Sequence, residues 1–427
     1  MASRKLAVAA MVAVVATGLA GCSTSAPQPS SSSTAEHLSG TLVIGAYSTA
    51  KVGLDPLIAK FEKANPDLAV TATYADNQPY QAAIRTQLSA GTGPDLFTVW
   101  PGNGNPGAMK VLAPSGYLLD LSKVSGLPTL PSTLDNVTKI KGKQYVFPLT
   151  VAGIGAVYNE QAVKDANAKI PTTWSEVLDF CSAARADRKV AFSLGLNTLF
   201  VTQLINYALT STLVYQADPK FDAKLASGKA TFDSSNWKKS FQMYMTMEKD
   251  GCFTANALGT TNDVAQSDVA TGKALATVTL TTTISQIQAL APSGTTFGIF
   301  ALPATSNGKD TWMPAAAFDG FGINAKAKNP TAAAAFLKFI ASPSSMAEYA
   351  TVAGSLPSIA TSSFKITPSL AILDTEWMAG KTYPFPDQLW PNPLVSPAHK
   401  VGVQKVFGGQ ASIDDILKQM DAAYNTN

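Results

Sequence analysis

Apolar positions recur along this chain at two spacings. Leu54, Leu57, Ile58 and Phe61 fall at i, i+3, i+4 and i+7, one face of a helix. Asn65-Pro66 closes that helix, because the residue before a proline avoids helical backbone. Leu68, Val70, Ala72 and Tyr74 then alternate with Thr71 and Thr73, the period of a strand. Thr41 to Ala46 reads as an earlier strand, and Tyr80, Ile84 and Leu88 mark a second helix. Gly91-Thr92-Gly93-Pro94 breaks it before a strand from Asp95 to Trp100, with Asp95 expected to fix the turn. A βαβαβ run predicts an α/β fold with a largely parallel sheet and helices on its faces.

The pattern resumes downstream. Thr173-Trp174-Ser175-Glu176 is a capping box opening a helix to about Ala186. Asn329-Pro330 opens another, with Ala333, Phe336, Leu337 and Ile340 on its apolar face and Ser342-Pro343 at its end. Gly272 to Thr283 and Phe297 to Pro303 read as strands, and Trp174 and Trp237 as core residues of helices.

The longest apolar run is at the N-terminus. Arg4 and Lys5 precede an almost wholly apolar stretch, Leu6 to Ala20, which ends in Leu19-Ala20-Gly21-Cys22. A basic start, an apolar core and small residues before a cut define a secretory signal. The stretch is shorter than the roughly 20 residues a membrane span needs. With cysteine directly after the small pair it resembles a bacterial lipobox, which implies a signal over residues 1–21 and a lipid on Cys22. Residues 22–40 are rich in Ser, Thr, Pro and Ala without apolar period. Such a segment cannot offset its ordering entropy and reads as a tether with an r.m.s. span of roughly 25 Å.

Composition narrows the function. The 427-residue chain is 46% apolar, which suits two domains rather than one core. Its formal charge is +3, and removal of Arg4 and Lys5 brings it to +1. A near-neutral surface argues against a nucleic-acid partner, which would need a basic stripe. His37 and His399 are the two histidines, and there is no Cys/His cluster to hold a metal. Cys181 and Cys252 form an even pair, either disulfide-bonded in an oxidising compartment or buried as free thiols. Gly102-Asn103-Gly104-Asn105-Pro106-Gly107 matches G-x-G-x-x-G. It follows the third strand, however, Pro106 interrupts it, and Asp120 comes too early for a ribose contact. Gly380-Lys381-Thr382 lacks the upstream glycine of a phosphate loop, and no G-x-S-x-G exists. No cofactor is expected.

A series of landmarks in order resembles family 1 extracellular sugar-binding proteins. They are Phe61-Glu62, Asn65-Pro66, Tyr80, Gly93-Pro94-Asp95-Leu96 and Gly116-Tyr117-Leu118-Leu119-Asp120-Leu121. Gly142-Lys143-Gln144-Tyr145-Val146-Phe147-Pro148, Val157-Tyr158-Asn159 and the capping box at Trp174 follow. Gly272-Lys273-Ala274-Leu275-Ala276, Gly320-Phe321-Gly322-Ile323 and Phe336-Leu337-Lys338-Phe339-Ile340 complete the series. The resemblance implies the two-lobed periplasmic-binding-protein fold, its lobes joined by crossing strands with a ligand cleft between them. It implies crossings near Pro148-Leu149-Thr150, Phe300 to Pro303 and Leu356-Pro357. Lobe I is then 41–148 plus 298–345, and lobe II 149–297 plus 346–427. It also implies a monomeric, lipid-anchored subunit of an ABC importer that delivers a sugar to membrane permease subunits. Where the family often carries Gly-Ser-Trp or Gly-Pro-Trp, this chain has Thr281-Thr282, without an aromatic platform.

Sugars offer apolar CH faces and hydroxyl edges, so their sites need rings beside hydrogen-bonding side chains. Residues of those types at expected strand ends or loops are Tyr47, Ser48, Asp76, Asn77, Trp100, Asn103, Thr150, Thr281, Thr282, Asp319, Phe321 and Trp390. Two other functions compete. One is binding of a different small polar solute, such as an amine or a metal-anion complex. The other is glycoside hydrolysis, which needs two carboxylates about 5–9 Å apart across one cleft. The sequence places no such pair.

Overall fold

The computed structural model describes residues 37–426. The expected signal, Cys22 and the tether up to residue 36 lie outside the described residues. The chain opens with β1 (Gly40–Tyr47), α1 (Lys51–Ala64), β2 (Leu68–Ala75), α2 (Asn77–Ala90) and β3 (Leu96–Thr98). β1 pairs in parallel with both β2 and β3. Leu54, Leu57 and Phe61 are buried, as one apolar helix face requires. Asp95 does more than set a turn. Its Oδ2 accepts the Val43 N–H at 2.9 Å, and its Oδ1 accepts the N–H groups of Lys328 and Asn329 at 2.6 and 3.1 Å. One buried carboxylate thus ties β1 to the start of a helix more than 200 residues later.

β4 (Phe147–Asn159) is a long, buried strand. It is followed by α3 (Trp174–Ala186), β5 (Val190–Phe192), α4 (Leu204–Thr210) and α5 (Trp237–Lys249). Next come β6 (Ala274–Leu280), β7 (Phe297–Phe300) and β8 (Met313–Ile323). The capping box at Thr173 and Glu176 is formed at the start of α3. α6 (Pro330–Ile340), α7 (Pro343–Ala353), β9 (Leu356–Pro357) and α8 (Val395–Phe407) lead toward the C-terminus. The sheet order is β2-β1-β3-β8-β4-β6-β5.

The centre of this sheet is not parallel. β8 is antiparallel to both β3 and β4, and β4 is antiparallel to β6 and β7. A parallel neighbour needs a crossover within one half. β4 instead runs from one half into the other and β8 runs back, so the two meet head to tail. Residues 147–153 of β4 pair with β8, while Ile154 to Tyr158 pair with β6.

Each half has its own core. Leu42, Ile44, Phe61, Phe336 and Tyr349 belong to the first, and Phe180, Phe192, Trp237, Tyr244 and Met247 to the second. Tyr349 of α7 lies against Gly53 of α1, which places α7 with the first half. Among the described residues β7 pairs only with the far part of β4, and β8 spans the return between halves. A disulfide links the buried Cys181 of α3 to Cys252. No helix among the described residues is long and apolar enough to cross a membrane.

Candidate functional site

The first half meets the second along a seam between residues 100–105 and residues 385–391. Trp100 follows β3 and is half-buried. Its ring stands edge-on to Phe318 of β8 at 5.6 Å and lies nearly parallel to Phe385 at 6.4 Å. Asn103, only 2% exposed, donates from Nδ2 to the carbonyls of Trp390 and Pro391 at 2.9 and 2.8 Å. Its backbone N–H bonds the Gln388 carbonyl at 3.0 Å. The glycines of this loop are required by the close approach. A Cβ on Gly102 would lie 2.2 Å from the Gln388 carbonyl oxygen, and one on Gly104 would lie 2.8 Å from Asp387 Oδ2.

The polar groups of the seam are unbalanced. Gln388 donates from Nε2 to the Ala317 carbonyl at 2.9 Å, which fixes the direction of its amide, as the two carbonyls fix that of Asn103. Among the described residues both amide oxygens are left buried without a donor. Buried polar groups are normally bonded, and an unmet acceptor costs about 1–3 kcal/mol. Burial pushes the Asp387 carboxyl up to about 6, against the opposing pull of the Lys400 ammonium on α8. The Tyr207 hydroxyl on α4 lies near the same carboxyl.

Behind the seam, the two strands shared by both halves carry a second polar pair. Thr150 of β4 donates its hydroxyl to Asp319 Oδ2 of β8 at 3.0 Å. The Tyr47 and Tyr349 hydroxyls are near this carboxylate, which burial pushes up to about 6. Asp319 sits at φ +46° within a strand. Asp tolerates left-handed backbone better than most residues, but strain of this kind is sustained only where its surroundings enforce it.

The structure thus brings together Trp100 and Asn103 at the seam, and Thr150, Asp319 and Tyr47 behind it. Thr281 is buried and accepts the Gly153 N–H of β4 at 3.2 Å, with Thr282 half-buried beside it. Ser48 and Asp76 are exposed, and Asn77 accepts from Gln81 at 2.7 Å. Two candidates need correction. Phe321 is 0% exposed in the first core, and Trp390 is 1% exposed among Tyr207, Phe232, Trp237 and His399. Both rings serve packing; Trp390 meets the seam through its carbonyl alone. The sequence reading did not place Phe318, Phe385, Asp387 and Gln388 among the sugar contacts. The available signal was the Pro384-Phe385-Pro386-Asp387-Gln388 run, whose prolines exclude a long helix and leave its side chains to a tertiary role.

A groove of about 1010 Å³ adjoins the segment beyond the seam. Asp222, Leu389, Pro391, Leu394, Tyr424 and Asn425 are in its wall. Among the described residues no group of three His, Cys, Asp or Glu could hold a metal ion.

Comparison with known proteins bears on this arrangement. The sequence model of the bacterial extracellular solute-binding proteins matches residues 56–369. No curated protein matches the sequence. Among solved structures, a protein from a study of xylan utilization by Caldanaerobius polysaccharolyticus superposes with a TM-score of 0.78 at 20% identity, covering 90% of this chain and 99% of that one. A family 1 extracellular solute-binding protein from Bifidobacterium longum subsp. infantis gives 0.66 at 24% identity, covering 91% and 100%. A sugar transporter protein of Bacillus licheniformis, in complex with stachyose, gives 0.73 at 18% identity, covering 90% and 98%. At these identities the likeness establishes a shared fold.

Proposed function

The chain belongs to the bacterial extracellular solute-binding proteins, and on that premise we propose that it captures a neutral sugar or oligosaccharide for the permease of an ABC importer. The observation that carries the reading is the seam. Aromatic faces share the seam with buried acceptors, Asn103 Oδ1 and Gln388 Oε1, that have no donor among the described residues. A polyhydroxyl solute supplies both an apolar face for the rings and hydroxyl donors for the oxygens. The adjoining groove offers length for further sugar units, with Tyr424 and Asp222 in its wall. Structural relatives in complex with raffinose and with stachyose support the same class.

The lobes of this reading are the two halves, one built on β1–β3 with α6 and α7, the other on β5–β7. Opening and closing about β4 and β8 is a hinge motion. The protein acts as a monomeric binder without a catalytic step, held outside the cytoplasm by a lipid on Cys22. Calorimetric titration with neutral oligosaccharides, followed by mass spectrometry of the ligand, tests the reading. Saturable binding with the sugar recovered intact is expected. Binding of a polyamine or peptide with no response to any neutral sugar would overturn it, and a cleaved sugar would make the protein an enzyme.

A further inference from the structure

A second cavity, of about 590 Å³, lies on the first half beside the hairpin formed by Lys139–Ile140 and Lys143–Gln144. Lys110, Lys139 and Lys141 line it, together with Asp135 and Asn136. The Lys139 ammonium is paired with Asp135 at 2.8 Å. Lys110 and Lys141 have no ion pair among the described residues. Lys110 is half-buried, and that burial works against its charge.

The hairpin tip adds a second observation. Lys141 and Gly142 have φ +49° and +77°, the pair of positive angles of a type I′ turn. Asn or Gly is the usual choice at the first of these positions, since a left-handed backbone costs other residues about 1–2 kcal/mol. Here a lysine holds it, and that lysine is among the residues lining the cavity. The cavity therefore gathers cations from separate chain segments, one half-buried and one kept on strained backbone, against a single carboxylate that is already paired.

We propose that this cavity is a binding site for a phosphate group, separate from the seam. The surplus is two positive charges, which a phosphate dianion or a pair of phosphodiesters would neutralise. A phosphate presents acceptor oxygens in several directions, matching ammonium groups that arrive from different segments. A planar carboxylate is better served by the guanidinium fork of arginine, and no arginine lines the cavity.

Competitive acylation of lysines, read site by site by mass spectrometry on the full folded domain, tests this. About 10 mM inorganic phosphate should slow acylation of Lys110 at least threefold relative to chloride at matched ionic strength. Lys60, which is paired with Glu348 elsewhere, should be unaffected. Lys141→Met should reduce the protection of Lys110, while Lys141→Arg retains most of it. Protection by phosphatidylglycerol vesicles, and not by phosphatidylcholine vesicles or free phosphate, would identify a lipid headgroup as the source of the same chemistry. Equal protection by chloride, or none from phosphate and anionic vesicles alike, overturns the proposal. Sugar binding takes no part in the readout, so the outcome is independent of the function proposed for the seam.

Discussion

Thr150 and Asp319 join the two strands that belong to both halves, hydroxyl to carboxylate at 3.0 Å. Asp319 holds its proton up to about pH 6 in the fold, against 3.8 for the ordinary carboxyl. Its folded pKa is raised, so the stability it contributes is full below pH 3.8 and is lost as pH rises through about 6. The loss above that range is on the order of 2–3 kcal/mol. Asp319→Asn keeps an acceptor for Thr150 and removes the buried charge. The variant should gain about 1–3 kcal/mol over the parent at pH 7.5 and little at pH 4. Urea unfolding at both pH values measures it, and an equal shift at both would refute the titration argument.

Trp100 and Phe318 are the half-buried rings of the seam, so truncation of each should weaken sugar binding while the fold persists. Burial of a ring face is worth on the order of 1.5–3 kcal/mol, which corresponds to roughly ten- to a hundredfold in affinity. Trp390→Ala should act differently, lowering stability by about 3–5 kcal/mol. Titration beside a denaturant melt separates the two effects. A Trp100→Ala protein that binds normally but melts early would place that ring in the core as well.

Gly102→Ala should disrupt the seam. The added Cβ meets the Gln388 carbonyl oxygen at 2.2 Å on backbone with φ +72°. Gly116 has almost the same φ, +73°, with nothing within 4 Å of a Cβ, and isolates the backbone component. Gly116→Ala should cost about 1 kcal/mol. Gly102→Ala should exceed that by at least about 1–2 kcal/mol and also weaken sugar binding, since the contact itself is broken. Equal losses of stability in the two variants would count against a tight seam.

The bond between Cys181 and Cys252 closes a separation of 71 residues. Replacing both cysteines with serine should lower stability by roughly 2–4 kcal/mol. Reduction of the parent should bring its melting midpoint to near that of the double variant. A parent insensitive to reductant under unfolding conditions would mean that the bond contributes nothing to stability.

Much of this fold could be read before its coordinates. The spacing of Leu54, Leu57, Ile58 and Phe61 set α1, and Thr173 with Glu176 set the start of α3, because both signals are local. The antiparallel centre was not legible. Period-two alternation marks a strand without naming its neighbour, and β8 finds β3 and β4 only in three dimensions. The site divides the same way. Trp100 and Asn103 were expected after a strand in a glycine-rich loop, and that is where they meet the seam. Phe321 and Trp390 look the same in sequence, yet packing buries both. Asp387 and Gln388 stood in a run whose only conspicuous residue was a tryptophan. The unmet oxygens of Asn103 and Gln388 arise from the carbonyls that their amides bond, which no residue type reveals.

The place of β8 has a consequence for how the protein is made. β3 and β4 are complete by residue 159, but the strand that fills the slot between them begins at Met313. Until that strand has emerged, β3 and the near part of β4 face each other with open hydrogen-bonding edges. Open edges recruit other chains, and distant pairings form slowly. A nascent chain halted between those points carries an unfinished sheet that no later segment has yet sealed. Folding of the first half must therefore wait for more than three quarters of the polypeptide, and a chaperone that shields those two edges would act during that interval.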